Sequence, residues 1–407
     1  MRKRTKKLLV RLIPIIIIFL GINIGFGIDY YLRIPKEWYT STPYGGGYTT
    51  INAHSFNVNP QNKLVYMTSG DVLQIINVDN PNNPSLLSEF NKTNPATFMA
   101  REGDLLVLAG ENDFNIINIS NPALPVNLSI FNINVNYTIA DVAIKGDYVF
   151  LAVSPISPYI DSLNFQVLVS VNISNPLDPK EGAMYRRYGF YSYSLTLHED
   201  IAYITHPDKG IAIVNITNPE NLNGLGYLTK FGLLSTYPWA INAYQTAIKK
   251  TTTATYILIA DHDNGYIVAD VTDPTVPQPI GGTSMPYSIS LFATFNYAYV
   301  LQKNGTISVF SLTDPIQREL VGRFDPYNEL INARDIYVHQ STNTLYLLRN
   351  NGLTMYNLVE GIKNDYFRVE AALDYTLVAI VFSLILCVPL GIAVIIRHRE
   401  TATFSKY

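Results

Sequence analysis

Cysteine is almost absent from this sequence. Among 407 residues the single cysteine is Cys387, which lies within an apolar block near the C-terminus. Disulfides, thiolate catalysis and cysteine-based zinc sites are therefore excluded from the middle of the chain. A domain without disulfides depends on its own packing, and a chain of this length can bury a sufficient core.

Charged residues are also scarce. They make up 15% of the chain, and the net charge is −3. This balance gives no electrostatic case for a nucleic-acid partner. The hydrophobic content of 48% is too high for an intrinsically disordered chain, and part of it lies in two terminal blocks.

Recognisable catalytic motifs are missing as well. The six histidines show no HExxH spacing, and the chain contains no G-x-S-x-G elbow and no phosphate loop. Residues 261–265, DHDNG, resemble a fragment of a calcium loop but lack its distal glutamate, so a plain turn is the favoured interpretation. We therefore expect no enzyme activity, no cofactor and no metal site.

The sequence is instead rich in strand-forming residues that are arranged in repeats. Its 29 tyrosines, together with many Val, Ile and Thr residues, favour strands over helices. One closing phrase follows six apolar runs, and NLVEG (357–361) is a degenerate seventh copy. The six are NVDNP (77–81), NISNP (118–122), NISNP (172–176), NITNP (215–219), DVTDP (270–274) and SLTDP (311–315). Their spacing of roughly 40 to 55 residues is typical of propeller blades.

Each repeat can be divided into four strands, which we call A to D. Strands B and C are almost continuously apolar, as expected for strands that are buried on both faces. Turns containing Gly and Asn join them, because these residues tolerate positive φ. The Asn or Asp before each Pro ends strand C. The sequence therefore predicts an all-β fold, a seven-bladed β-propeller of four-stranded blades.

The repeat resembles the LVIVD repeat of β-propeller surface proteins. The resemblance rests on a strand, a glycine turn and a phrase of the form VxDVSDPxxPxxVG, to which DVTDPTVPQPIGG (270–282) corresponds best. It extends over about Ile51 to Gly361. It implies a propeller at the cell surface, and the family is known for its repeat and architecture rather than for one activity.

Both ends of the chain are apolar. Residues 1–28 start with a basic cluster and continue as an apolar run, which is typical of a signal anchor or a cleaved signal peptide. Residues 371–396 are long and apolar enough to form a transmembrane helix. Basic residues lie on the outer side of both blocks. The positive-inside rule then predicts a cytoplasmic tail at 397–407 and an extracellular middle.

The ring needs a seventh D strand, because the repeats themselves supply only six. Residues 29–50 are expected to provide a closing strand (30–39) and then a linker, in which Gly45-Gly46-Gly47 is flexible. The propeller is expected at 51–361 and a juxtamembrane segment at 362–370.

The connectivity of such blades predicts two different faces. The A–B and C–D connections share one face, which we call the NP face because the closing phrases lie there. The B–C and D–A connections share the opposite face, which we call the loop face. The N-terminal segment would enter strand D of blade 7 on the NP face, and the C-terminal segment would leave strand C of blade 7 on the same face. Both membrane blocks should therefore attach there.

The predicted binding residues lie on the loop face, which carries the most irregular loops. Aromatic and arginine side chains are frequent anchors in recognition. The candidates are Arg186, Arg187, Tyr188, Tyr191, Tyr237, Trp239, Tyr287 and Tyr327. The alternative is that these tyrosines only shield the edges of the blades.

Predicted N-glycosylation sites lie in Asn-x-Ser/Thr sequences outside the repeat phrase. They are Asn91, Asn127 and Asn136. Asn118, Asn172 and Asn215 also start such sequences, but they belong to the phrase and are expected to cap strand C instead.

Together these observations predict an extracellular propeller, anchored in the cell membrane, that binds a protein or glycan partner or organises the cell surface. One alternative is a propeller enzyme, such as a glycan-processing or metal-dependent hydrolase, with its site at the central channel. Another is a purely structural ectodomain that serves an assembly partner.

Overall fold

Runs of β-branched and aromatic residues form nearly all of the secondary structure. The computed structural model describes residues 39–156, 165–187, 191–207, 209–231, 239–324 and 332–360, which belong to one unit, Trp38–Gly361. These residues form 30 strands and one 3-10 turn, Gln340–Thr342. All but two of the strands belong to seven four-stranded antiparallel blades. The predicted seven-bladed β-propeller is confirmed.

The strands are numbered along the chain, and the first four blades follow each other directly. The first strand, β1 (Tyr39–Thr49), belongs to the last blade. Blade 1 contains β2 (Ala53–Asn59), β3 (Leu64–Ser69), β4 (Val72–Asn77) and β5 (Ser85–Asn91). Blade 2 contains β6 (Phe98–Glu102), β7 (Leu105–Ala109), β8 (Asp113–Asn118) and β9 (Val126–Asn132). Blade 3 contains β10 (Tyr137–Lys145), β11 (Tyr148–Pro155), β12 (Phe165–Asn172) and β13 (Lys180–Arg187).

The remaining blades include one insertion. Blade 4 contains β14 (Leu195–His198), β15 (Ile201–His206), β16 (Gly210–Asn215) and β17 (Asn223–Leu228). A short ribbon of β18 (Lys230–Phe231) and β19 (Trp239–Ala240) follows. Blade 5 contains β20 (Ala243–Lys250), β21 (Thr255–Asp261), β22 (Gly265–Asp270) and β23 (Gln278–Thr283). Blade 6 contains β24 (Ser288–Ala293), β25 (Tyr297–Gln302), β26 (Ile307–Ser311) and β27 (Leu320–Phe324). Blade 7 contains β28 (Ala333–His339), β29 (Thr344–Arg349), β30 (Gly352–Glu360) and β1.

The hydrophobic core is divided between the blades. The described residues form seven buried clusters, and each combines side chains of two neighbouring blades. Phe114 of blade 2 and Val153 of blade 3 share one cluster, for example. Successive residues of a strand point to opposite faces of the sheet, so strands B and C must be apolar at nearly every position. This explains their continuous apolar runs.

The A strands lie innermost and contact one another in a closed circle. The members of this circle are β2, β6, β10, β14, β20, β24 and β28. Polar side chains join successive members. Gln245 Oε1 accepts from the Leu291 backbone N–H at 2.9 Å, and Ser290 Oγ donates to Asp335 Oδ1 at 2.7 Å. The centre of the ring is therefore held by hydrogen bonds between blades as well as by apolar packing.

The closing phrase forms two successive Asx turns, with Asn118 to Pro122 of blade 2 as an example. Asn118 Oδ1 accepts from the Ser120 backbone N–H at 2.8 Å, and Asn121 Oδ1 accepts from that of Ala123 at 3.2 Å. Between them Ile119 is buried and its N–H donates to the carbonyl of Asp104, in the A–B turn, at 2.8 Å. The phrase thus ends strand C and fastens it to the neighbouring hairpin.

The same arrangement recurs in the other blades. The first Asx position is Asn77, Asn172, Asn215 and Asp270, each of which accepts from the N–H two residues later. The buried aliphatic residue is Val78, Ile173, Ile216, Val271, Leu312 and, in the degenerate seventh copy, Leu358. The prediction that the phrase asparagines cap strand C is confirmed. The Asx chemistry explains why Asn and Asp replace each other at these positions.

Serine side chains connect each of blades 1 to 3 to the closing phrase of the next blade. Ser88 Oγ donates to the carbonyl of Pro122, Ser129 Oγ to that of Pro176, and Ser170 Oγ to that of Pro219. Each distance is 2.6 Å. The phrase is therefore also a contact point between blades.

The ring closes because the first strand pairs with the last. Strand β1 is antiparallel to β30, from Tyr39 opposite Glu360 to Thr49 opposite Gly352. A Cβ on Gly352, whose φ is 130°, would lie 2.0 Å from the Tyr48 carbonyl oxygen, so the close approach of β1 requires glycine there.

The position of the closing strand differs from its predicted position. An N-terminal segment does supply the seventh D strand, but that strand is Tyr39–Thr49 rather than 30–39. Residues 30–38 lie outside the described residues. The linker interpretation of Gly45-Gly46-Gly47 is wrong, because the three glycines lie within β1. They lie at the β-bulge between Pro43 and Gly47, a feature that glycine accommodates well.

Both ends of the described chain lie on the NP face. Strand C of blade 7 ends there, and Tyr39 is the residue opposite Glu360. The predicted membrane segments 1–28 and 371–396 lie outside the described residues, as do the juxtamembrane segment 362–370 and the tail 397–407. Within the part of the chain that the structure describes, no helix is long and apolar enough to cross a membrane.

The Asx turns yield a prediction about stability. Asn215→Ala removes the acceptor of the Thr217 N–H, which lies 2.8 Å from Asn215 Oδ1. We expect a loss of about 1 kcal/mol in the free energy of unfolding, measured by denaturant titration. Asn215→Asp retains the acceptor and removes the same glycosylation sequence, so it serves as the matched control and should remain near wild type. Equal stability of the two variants would contradict the role of the turn.

Candidate functional site

Four aromatic rings follow one another in tilted, stacked and T-shaped contacts along the loop face of blades 4 to 6. The Tyr193 and Tyr244 centroids are 4.6 Å apart, those of Tyr244 and His262 are 5.1 Å apart, and those of His262 and Tyr287 are 5.0 Å apart. We call this set the aromatic strip. Each ring comes from a different segment: two D–A connections, the start of strand β20 and a B–C hairpin.

The two ends of the aromatic strip are open to solvent. Tyr193 is 44% exposed and Tyr287 is 56% exposed, whereas Tyr244 and His262 are partly buried between them. Offset and T-shaped ring pairs stabilise one another beyond the area that they bury. The strip is therefore a rigid aromatic surface with its outer rings available for contact.

Tyr287 has a strained backbone. Its φ is 65°, which is unfavourable for a bulky side chain and costs of the order of 1–3 kcal/mol. The surroundings fix this conformation from both sides. The Tyr287 N–H donates to the His262 carbonyl at 2.6 Å, and the Lys303 N–H donates to the Tyr287 carbonyl at 2.8 Å. The same left-handed conformation occurs at Asn52 and Asn332, which also directly precede a strand A, so it belongs to the blade architecture and fixes the position of the Tyr287 ring.

A polar network orients the imidazole of His262. Its Nδ1 lies 3.0 Å from Asp263 Oδ1, and Asn242 Nδ2 donates to Asp263 Oδ2 at 2.9 Å. The hydrogen bonds from Asn242 and His262 lower the pKa of Asp263, so this carboxylate stays ionised over a wide pH range. His262 is therefore held at the centre of the strip.

The predicted plain turn at 261–265 has a clear structural basis. Asp261 is fully buried, and burial raises the pKa of its carboxyl group. Its Oδ1 accepts from the backbone N–H groups of Asp263 and Asn264, and its Oδ2 accepts from that of Asn242. The carboxylate thus shapes the hairpin. Among the described residues, no group of three or more His, Cys, Asp or Glu side chains could hold a metal ion.

The predicted binding residues that the structure describes do not form one cluster. Tyr287 belongs to the aromatic strip, and Tyr191 lies 5.6 Å from the ring of His206. Trp239 lies in the ribbon β18–β19, opposite Phe231. Tyr188, Tyr237 and Tyr327 lie outside the described residues.

The arginine candidates lie on strand D of blade 3. The guanidinium of Arg187 is 3.1 Å from the centroid of the Tyr227 ring, on strand D of blade 4. Tyr185 shares a hydrogen bond with Tyr227, and Arg186 Nη2 donates to Met184 Sδ at 2.9 Å. Arg187 and its tyrosine neighbours therefore join two blades along their outer edges. This arrangement supports the edge-shielding alternative for these residues.

The predicted glycosylation sites lie at the surface. Asn91, Asn127 and Asn136 are all exposed. Asn127 Oδ1 accepts from Asn115 Nδ2 at 2.8 Å.

Two enclosed carboxylates lie on the innermost strands, where a channel site would have to be built. Asp141 belongs to β10 and Asp335 to β28, and solvent reaches only part of each. Burial raises the pKa of Asp141 to about 6, and the charge of Asp335 acts in the same direction. Burial also raises the pKa of Asp335.

Both carboxylates accept hydrogen bonds from other residues of the ring. Asp141 Oδ2 accepts from Ser194 Oγ at 3.1 Å and from the Leu195 N–H at 2.8 Å. Its Oδ1 accepts from the Val142 N–H at 2.8 Å. Asp335 Oδ1 accepts from Ser290 Oγ and from the Ile336 N–H. These contacts give each carboxylate the role of a tie between blades.

Sequence reasoning missed most of the aromatic strip. Tyr193, Tyr244 and His262 are far apart in the chain, and their contacts depend on how blades 4 to 6 are packed. One signal was present. The phrases INAH, INAY and INAR place His54, Tyr244 and Arg334 at one repeat position, where the side chain varies although the surrounding residues do not.

Comparisons with known proteins agree with the fold. The LVIVD repeat family matches residues 102–132, 191–227 and 254–282, which lie in blades 2, 4 and 5. No curated protein matches the chain. Among solved structures, the β-propeller domain of Cps50 (Swd1) from Myceliophteria thermophila is similar, with a TM-score of 0.58 and 9% identity. The match covers 79% of this chain and 100% of that chain, and at this identity it shows the fold alone.

The carboxylate of Asp141 yields a prediction about pH. Its folded-state pKa of about 6 lies above the ordinary 3.8, so folding is favoured by protonation, and stability is lost as the pH rises through this interval. The loss amounts to at most about 3 kcal/mol. Asp141→Asn cannot ionise, and its free energy of unfolding should fall less between pH 4 and pH 7 than that of the wild type, measured by denaturant titration. Parallel pH profiles would contradict the assignment.

Proposed function

We propose that this chain, a seven-bladed propeller with LVIVD repeats, is a membrane-anchored extracellular binding module that recognises a protein or glycan partner through its loop face. The observation that carries the proposal is the aromatic strip. Its end residues Tyr193 and Tyr287 are exposed, and hydrogen bonds of the Tyr287 backbone with His262 and Lys303 fix the position of the Tyr287 ring. Rigid aromatic side chains bind partners with little loss of conformational entropy.

The positions of the chain ends support the orientation. Tyr39 and Glu360 lie together on the NP face, next to the segments that precede and follow the described residues. The apolar blocks 1–28 and 371–396, with their basic flanks, favour membrane attachment on this side. The loop face then points away from the membrane, and Asn91, Asn127 and Asn136 are available as glycan acceptors outside the cell.

A binding role is favoured over a hydrolase at the central channel. Asp141 and Asp335 lie on the innermost strands, but both accept hydrogen bonds from the neighbouring blade. A catalytic carboxylate needs access to its substrate. The occupied acceptors support the structural role instead.

Replacing Tyr287 separates binding from folding. Tyr287→Gly removes the exposed ring and relieves the positive φ, so its melting temperature should equal or exceed that of the wild type. The binding assay uses the full chain, purified in detergent and immobilised, and a cell-surface extract. The Tyr193→Ala/Tyr287→Gly double variant should retain at least tenfold less partner than the wild type. Phe295→Ser, a matched change of an exposed ring on the NP face, should bind normally. Undiminished capture by the double variant would refute a role for the strip.

The orientation can be measured with single cysteines in a Cys387→Ser background. Val135→Cys lies on the loop face, where the native side chain is 70% exposed, and should react with a membrane-impermeant maleimide on intact cells. Thr401→Cys lies in the predicted cytoplasmic tail and should react only after permeabilisation. Labelling of position 401 on intact cells would contradict the topology.

A further inference from the structure

A cavity of about 480 Å³ opens on the loop face between blades 2 and 3, away from the aromatic strip. The D–A connection before blade 2, the B–C hairpin of blade 2 and the first strand of blade 3 form its walls. The lining residues are Asn94, Pro95, Thr97, Phe98, Gly110, Glu111, Asn112 and Ile139. This volume lies within the range of ligand pockets, about 300–1,000 Å³.

A buried ion pair lies beside the cavity wall. Lys92 and Asp113 form it, and both are almost fully buried, at 3% and 5% exposure. Asn94 Nδ2, from the wall itself, donates to Asp113 Oδ2 at 2.5 Å. Buried charges are tolerated when they are paired and hydrogen-bonded. The wall therefore carries fixed polar groups whose charges cancel.

Gly110 separates the ion pair from the cavity. A Cβ at this position would lie 2.7 Å from the Pro95 carbonyl oxygen, 3.0 Å from Asp113 Oδ1 and 3.1 Å from Lys92 Nζ. Only a residue without a side chain fits there. Glycine at such a position brings backbone and buried polar groups close to the cavity space.

The hairpin that lines the cavity is held in place by the connection that follows it. The Ile139 N–H donates to the Glu111 carbonyl at 2.7 Å, and the Ile133 N–H donates to the Asn112 carbonyl at 2.9 Å. The Glu111 and Asn112 backbones are thus fixed by the first strand of blade 3 and by the connection that leads to it. The cavity is formed before any ligand enters, which reduces the entropic cost of binding.

We propose that this cavity is a binding subsite for a neutral saccharide. Its wall combines the ring of Phe98 and the apolar surfaces of Pro95 and Ile139 with the amides of Asn94 and Asn112 and the carboxylate of Glu111. A sugar ring has an apolar face that suits an aromatic side chain and hydroxyl groups that both donate to carboxylates and accept from amides.

The charges of the site argue against other ligand classes. Lys92 is neutralised by Asp113, and Glu111 is the one ionisable residue among the lining residues, so its carboxylate disfavours phosphorylated or otherwise anionic ligands. Five polar or backbone-exposing residues in the wall disfavour a purely apolar ligand, because their groups would lose water without gaining partners. The inference rests on the proposed role of the loop face in binding and specifies glycan as the ligand class.

The test uses the full chain in a detergent without sugar head groups. An array of neutral oligosaccharides and anionic glycans shows which saccharides the protein binds. The neutral disaccharide that binds most strongly is then titrated in solution. Asn112→Ala and Glu111→Gln should each weaken its binding at least tenfold, and Phe98→Leu should weaken it several-fold while preserving an apolar wall. Phe295→Ser should bind the disaccharide like the wild type, because this exposed ring lies on the NP face.

Two results would overturn the saccharide subsite. In the first, the wild type binds no neutral saccharide on the array. In the second, the wild type and the Asn112→Ala/Glu111→Gln double variant bind the disaccharide with equal affinity. Neither result depends on the partner-capture experiment with Tyr287→Gly. A failure of that experiment would affect the aromatic strip and leave the cavity titration unchanged.

Discussion

The whole structure depends on the burial of both faces of every blade. Each hydrophobic cluster is shared by two neighbouring blades, so no blade has a complete core of its own. A row of such blades would leave two apolar faces exposed at its ends, and closing the row into a ring removes both. The pairing of β1 with β30 supplies this closure through the backbone, and Gly352 allows the two strands to approach.

The closing phrase shows how a repeat can be constant on one face and variable on the other. Its two Asx turns and its buried aliphatic residue fix strand C to the A–B turn in each blade, and serines of blades 1 to 3 reach the next proline carbonyl. The closing phrases of the NP face are therefore needed to hold strand C and the neighbouring blades in place. The connections on the loop face differ in length and in side chain, and the aromatic strip and the cavity are both formed there.

The sequence was sufficient for the architecture because each blade carries its own local signals. Asn118 and Ile119 make their contacts within one blade, and the recurrence of the phrase revealed the number of blades. The closing strand was misplaced because the glycines at 45–47 have the local composition of a linker, although pairing with β30 makes them part of a strand. Arg187 suggested recognition, yet it lies over Tyr227 of the next blade. The strip and the cavity escaped notice for the same reason, since their residues meet only when blades pack together.

The shared exit of the two chain ends has a mechanical consequence. Tyr39 and Glu360 are register partners at one end of the β1–β30 pair. A force that draws the two flanking segments apart therefore loads this pair at a single point and peels it open one residue at a time towards Thr49 and Gly352. Strands that are pulled from opposite ends share the load along their whole length. Here both forces act at the same end of the pair, so the hydrogen bonds break one after another. Lateral tension between the two ends would thus open blade 7 first, and the pairing of Tyr39 with Gly322 would pass part of the load to strand D of blade 6.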